Sequence, residues 1–145
     1  MKLKQLSVFL ENKPGALSAP CRVLADAQID LQTISLADTR EFGILRIVVH
    51  EWDKAKKLLE KNGFAVKGTE MVALEVPDRP GVAALVFKAI AEANINVDMI
   101  VQNTRHNLAS PATDISFTVD KADLLKAGKV IDALKEKIGF RQLVA

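Results

Sequence analysis

Val76-Pro77-Asp78-Arg79-Pro80-Gly81 is the stretch whose reading decides the fold, because an alternating apolar run ends in it and a helical pattern leaves it. Before it, Met71, Ala73 and Glu75 alternate with Val72, Leu74 and Val76, the period-2 mark of a strand. After it, Val82, Leu85, Val86, Ala89, Ile90 and Ala93 recur at helical spacing. Pro80 presets φ for the start of a helix, and Gly81 lets a ligand or a strand come close to the backbone. The same junction stands earlier as Leu10-Glu11-Asn12-Lys13-Pro14-Gly15, between a strand (Leu6, Val8, Leu10) and a helix (Leu17, Cys21, Leu24). Gly15 and Gly81 lie 66 positions apart. The chain is one unit written twice.

Composition narrows the classes. The 145 residues suit one ordinary domain or two small ones, and a hydrophobic content of 49% supplies a core and argues against long disorder. A net charge of +2, evenly spread, gives no basic face for nucleic acid. One cysteine, Cys21, excludes an internal disulfide and a multi-cysteine metal site. No run approaches the roughly 20 apolar residues that span a bilayer. Met1-Lys2-Leu3-Lys4-Gln5 lacks an export signal, so a cytoplasmic protein without a membrane anchor is expected.

The elements follow from the periodicities. Residues 4–10 read as a strand and lead through Glu11–Gly15 into a helix ending near Ala27. Pro20 would break a helix interior, so a late start is expected, with Ser18 as N-cap and Pro20 in the first turn. Ile29–Ala37 reads as a strand with a bulge near Gln32-Thr33, and Phe42–His50 as a central strand. A helix from Trp52 to Asn62-Gly63 turns Lys54, Lys56, Lys57 and Lys61 outward, and Phe64–Lys67 closes the first unit. Gly68-Thr69-Glu70 is the boundary candidate, giving units 1–68 and 69–145. The second unit repeats the order: strand 71–76, helix 82–93, strands 95–103 and 113–119 around a polar loop 104–112, helix 121–138 and strand 140–144. Ile95, Val97, Met99 and Val101 alternate cleanly in it. Two β-α-β-β-α-β units make an α+β protein of two ferredoxin-like sandwiches.

Catalysis finds little support. His50 and His106 do not recur in the repeat, and Cys21 shares a helical face with Leu17 and Leu24, as a small core residue would. Arg22 and Arg79 stand apart, so no phosphate cradle forms, and there is no Gly-rich phosphate loop or metal-ligand spacing. Phe42, Phe64, Phe87, Phe117 and Phe140 read as core, and no basic–aromatic motif for RNA is present. What remains is the repeated strand–turn–helix. Unpaired N–H groups at a helix start suit a carboxylate, and a preceding Asn12 or Asp78 suits an ammonium. Together they fit an α-amino acid. Pro-Gly between strand and helix is also ordinary turn chemistry, and only its repetition lifts the reading above that.

These residues resemble the ACT domain, the small regulatory module of amino-acid metabolism. The second copy, through Val76–Ala83, Ile95–Asn103 and Thr113–Val119, is similar to the regulatory ACT domain of aspartokinases. The first, through Phe9–Gly15 and Ala37–Arg46, resembles free-standing proteins built of two ACT domains. The resemblance implies a non-catalytic, cofactor-free sensor of a free amino acid that acts on an enzyme of amino-acid metabolism, as a homodimer. It also implies a ligand held between the strand1–helix1 loop of one unit and strand 2 of the other. By position that assigns Asn12, Gly15, Ala16 and Leu17, with Asp30 and Leu31, in the first copy. In the second it assigns Asp78, Gly81, Val82 and Ala83, with Asn96, Val97 and Gln102. Pro20 departs from the first-helix pattern. If loops cross to the opposite strand, one site joins Asn12 to Asn96 and the other Asp78 to Asp30, so the two sites are expected to differ. The alternative is an assembly module with a vestigial pocket.

Overall fold

The structure is a computed structural model that describes residues 3–38, 42–105, 112–138 and 141–144. Its elements are β1 (Lys4–Glu11), α1 (Ser18–Asp26), β2 (Thr33–Asp38), β3 (Phe42–Val48), α2 (Trp52–Lys61), β4 (Ala65–Glu70), β5 (Val72–Pro77), α3 (Val82–Glu92), β6 (Val97–Arg105), β7 (Ala112–Val119), a 3-10 turn at Lys121–Asp123, α4 (Leu124–Ile138) and β8 (Arg141–Val144). One compact unit spans Leu3–Thr69 and the other is drawn from Glu70 on. Their sheets have the same order, β2-β3-β1-β4 and β6-β7-β5-β8. The duplication in sequence is therefore a duplication of topology. The boundary candidate Gly68-Thr69-Glu70 belongs to β4, and only Met71 separates β4 from β5.

Each unit has its own core, and the alternation of its first strand selects it. In β1, Leu6, Val8 and Leu10 share one face, and antiparallel register sets Leu6 opposite Ile47 and Val8 opposite Leu45. Those side chains are buried with Leu24 of α1 and with Ala55 and Leu59 of α2. In β5, Val72 faces Phe117 and Leu74 faces Ile115. Val86 and Ile90 of α3 and Ala127 and Ile131 of α4 close over them. Phe87 meets Phe117 edge-on, with ring centroids 6.1 Å apart. Each large side chain removed from water contributes about 1.5–3 kcal/mol, so these faces carry the stability of the units.

The helix ends correct the expected strands. After α1, Gln28 takes φ +57, its N–H donates to Ala25 O at 2.9 Å, and Ile29 N–H donates to Leu24 O at 3.0 Å. After α3, Asn94 takes φ +54 and the same pair of bonds runs from Asn94 to Ala91 and from Ile95 to Ile90. Gly63 and Phe64 repeat it after α2. All three are Schellman caps, in which the residue after the left-handed position turns its apolar side chain back onto the helix. Ile29 and Ile95 are thus buried cap residues, and the strands begin later, at Thr33 and Val97. The bulge expected near Gln32 shows as a register shift at the equivalent place in the second unit, between Val97 and Met99, which breaks the clean alternation read there. In the first unit Gln32 N–H simply donates to Val48 O at 2.9 Å before β2 starts.

Other expectations divide. The lysines of α2 form a solvated face, with Lys56 to Glu60 at 2.6 Å and Lys57 to Asp53 at 2.7 Å. Phe42, expected in the core, is 57% exposed, because it sits opposite Glu11 on the face of the sheet away from the helices. Cys21 is half-buried and outside the core clusters. His50 is an exposed residue after β3, with its ring against the Gln32 amide. His106, Gly139 and Phe140 lie outside the described residues.

Candidate functional site

The two corners share one backbone skeleton. At the first, Lys13 N–H donates to Glu11 O (3.0 Å), Ala16 N–H to Lys13 O (3.2 Å) and Ala19 N–H to Gly15 O (3.3 Å). At the second, 66 positions on, Arg79 donates to Pro77 O (3.0 Å), Val82 to Arg79 O (3.4 Å) and Leu85 to Gly81 O (3.1 Å). Gly15 and Gly81 pivot the chain with φ +83 and φ +89, a conformation that a Cβ makes costly. A Cβ on either glycine would meet nothing within 4 Å, so the dihedral and not crowding demands glycine.

Side chains then make the corners unequal. Pro20 has no N–H, so the bond from residue 20 to the Ala16 carbonyl cannot form. Regular helix therefore begins at Ser18, with Leu17 as N-cap, and Pro20 falls in the first turn as expected, Ser18 being one place inside its expected cap position. In the second unit Val86 occupies the equivalent place, Gly81 itself is the N-cap, and α3 runs 11 residues against 9 in α1. Glu11 and Lys13 pair at 2.7 Å beside the first corner, and hydrogen bonding to Lys13, then its charge, lowers the Glu11 pKa. At the second corner the Thr113 hydroxyl donates to Asp78 Oδ1 at 3.1 Å and ties that carboxylate to β7. By register Thr113 corresponds to Gly43 of β3, since Thr113 lies opposite Val76 and Gly43 opposite Leu10.

The expected site residues fall into two groups in each unit. Asn12, Gly15 and Leu17 are exposed at the first corner, with Ala16 half-buried. Asp78 and Gly81 are exposed at the second, and Ala83 is half-buried. Val82 is buried in the core, so its side chain faces inward and only its backbone borders the corner. Asp30 and Leu31 precede β2, Asn96 precedes β6 and Val97 opens it. Asn96 Nδ2 donates to Asp98 Oδ1 at 3.2 Å. β1 and β2 both pair antiparallel to β3, so they run the same way, and the corner after Glu11 lies at the end of the sheet where β2 finishes. Asp30 and Leu31 lie at the other end, about 17 Å away for a six-residue strand. A single unit does not bring the two groups together. Gln102 is exposed on the helix-side face of β6, opposite Ile115, nearer the corner end.

A position the sequence reading passed over is Leu36, the counterpart of Gln102 at the same offset of 66. It lies on the helix side of β2, opposite Leu45, and is 51% exposed. The offset between the repeats was the signal that could have found it. Among the described residues no group of three acidic, histidine or cysteine side chains is placed to hold a metal, and no helix is long and apolar enough to cross a membrane.

Comparison with known proteins agrees with the duplicated fold. Residues 1–136 match the family described as the ACT domain pair. The Pseudomonas aeruginosa aspartokinase is 32% identical over 97% of this chain, and the Mycolicibacterium smegmatis aspartokinase 36% identical over 72% of it. The chain spans only 31% and 21% of those two proteins, so it corresponds to a part of each. Among solved structures, protein BT0572 from Bacteroides thetaiotaomicron is 34% identical, with a TM-score of 0.79 over 98% of this chain and 93% of that one. The ligand-free regulatory subunit of aspartate kinase from Thermus thermophilus has a TM-score of 0.66 over 92% of this chain and 93% of its own, at 16% identity, a likeness of fold.

Proposed function

This chain belongs to the ACT-domain family, as an ACT domain pair, and from that premise we propose that it is a non-catalytic, cytoplasmic sensor of a free amino acid. The ligand's carboxylate takes backbone N–H groups at a glycine corner, and its ammonium takes the Asn12 or Asp78 side chain. The strand-2 groups, Asp30 and Leu31 or Asn96 and Val97, complete each site from a different ACT unit. The observation that supports this most is the repeated corner: the same three hydrogen bonds and the same left-handed glycine at an offset of 66. The target is an enzyme of amino-acid metabolism, and the likeness to aspartokinases makes such a kinase the first to try. Regulatory ligands bind in the μM to mM range, about 4–8 kcal/mol, which a few hydrogen bonds and a small apolar surface supply. A ligand moves a partner only by binding two of its states unequally, so the sensor has at least two arrangements.

A thermal-shift screen of the twenty amino acids tests this reading. A true ligand at a hundredfold excess over its Kd stabilises the folded chain by roughly 2.7 kcal/mol. One or a few amino acids should raise Tm by several degrees, and a flat response to all twenty at 10 mM would contradict the reading. The second reading, an assembly module with a vestigial pocket, is favoured by the exposure of Ile34 and Leu36 on edge strand β2. A dimer whose size and stability ignore every amino acid is the result it requires.

A further inference from the structure

We infer that the two sites of the pair take amino acids of different side-chain class: the site bordered by Leu36 takes a branched apolar one, and the site bordered by Gln102 takes a polar one. This rests on the amino-acid-sensing reading above and adds to it the selecting residue, Leu36.

The two positions are equivalent in strand, face and pairing. Each lies on the second strand of its unit, on the helix-side face, opposite a fully buried core residue, Leu45 for Leu36 and Ile115 for Gln102. Each is exposed. They differ in chemistry and in what lies next to them. Leu36 leans over Gly43, and a Cβ on Gly43 would stand 3.3 Å from Leu36 Cδ1. A methyl at position 43 would ask Leu36 to give by a few tenths of an ångström. At the equivalent place in the second unit, Thr113 fills that room and spends its hydroxyl on Asp78. The first unit thus offers an apolar surface on its second strand, where the second offers an amide at that place.

The consequences for a ligand follow from desolvation. A polar side chain laid on Leu36 gives up water and gains no hydrogen bond, whereas an aliphatic one removes two apolar surfaces from water. At Gln102 the order reverses, because an aliphatic ligand leaves the amide unpaired. Discrimination is also lopsided: a site that hydrogen-bonds its ligand rejects the analogue lacking the polar group more sharply than an apolar site rejects a polar one. The Gln102 site should be the stricter of the two. Leu36 and Gln102 each stand towards the corner end of their own sheet, so Leu36 goes with the Gly15 corner and Gln102 with the Gly81 corner.

Calorimetric titration with L-leucine, L-isoleucine and L-valine, and separately with L-glutamine, L-threonine and L-lysine, tests this on the whole chain. The expected result is at least one ligand from each group, bound together without competition. Leu36→Gln should weaken the aliphatic ligand at least tenfold and leave the polar one unchanged, and Gln102→Leu should do the converse. Gly43→Ala, which only nudges Leu36, should weaken the aliphatic ligand by a smaller factor. Light scattering on the same variants separates a site from a subunit contact. Leu36→Gln shifting the oligomeric state while aliphatic affinity stays fixed would overturn the inference. So would competition between the two groups for one site, or polar ligands alone binding, and either result leaves the amino-acid-sensing reading standing. Failure of all six, and of the remaining amino acids in the screen, would overturn that reading as well.

Discussion

The corner at residues 11–20 and the corner at residues 77–86 share a turn and differ in where the helix begins and in their side chains. Both close with the same three hydrogen bonds around a left-handed glycine. Yet Pro20 stands where Val86 fills the core, Gly43 where Thr113 holds Asp78, and Leu36 where Gln102 offers an amide. Duplication preserved the hydrogen bonds and the left-handed glycine of the corner and changed the side chains around them. The difference teaches that a glycine and three backbone hydrogen bonds hold the turn whatever side chains surround it.

The most severe way to break this comparison is to give the second corner the first one's proline. Val86→Pro removes a helical hydrogen bond and a fully buried side chain, at a cost of about 3 kcal/mol or more. Denaturant unfolding should show the loss, and amide exchange should show α3 starting later. Next are Gly15→Ala and Gly81→Ala, each forcing a Cβ into the left-handed region for about 1–2 kcal/mol. Because neither Cβ meets a neighbour, the two costs should be alike, and clearly unequal values would show that the two glycines are not held in equivalent conformations.

Thr113→Val is milder, about 1 kcal/mol for one hydrogen bond between side chains, and it releases Asp78. Its partner experiment, Gly43→Ala, should lie near zero, since the flexible end of Leu36 can give a few tenths of an ångström. The smallest effect belongs to the Glu11–Lys13 pair, which has no counterpart at Pro77 and Arg79. The folded pKa of Glu11 lies below its ordinary 4.5, so the contribution is full above that pH and is lost as pH falls through the lowered value. The pair is solvent-exposed, so the Tm difference between wild type and Lys13→Ala should be small at pH 7 and vanish at the acid end.

Much of this was legible in the sequence, for definite reasons. Alternation in Leu6, Val8 and Leu10 and helical spacing in Val82, Val86 and Ile90 report burial directly, and the structure buries all six. The repeated Pro-Gly marked both corners because only glycine takes φ near +85 cheaply. Three features were less legible. Ile29 and Ile95 looked like strand residues because Gln28 and Asn94, unlike Gly63, give no glycine to announce the left-handed cap. Phe42 looked like core because periodicity does not tell which face of a sheet the helices cover. Leu36 escaped notice because an exposed leucine on a strand has no signature of its own, and it gains meaning only when aligned with Gln102. Asp30 and Asn96 could be named as expected site residues from the family, but register alone shows that they stand at the far end of their own sheets.

The central claim, that the corners are unequal sites, is tested most directly by following backbone amide NMR signals during titration with L-leucine, L-isoleucine or L-valine. The expected result is that the Leu36 and Gly15 amides shift together with a single Kd, while the Gln102 and Gly81 amides stay in place. Both glycines shifting in step, with equal affinity, would contradict it.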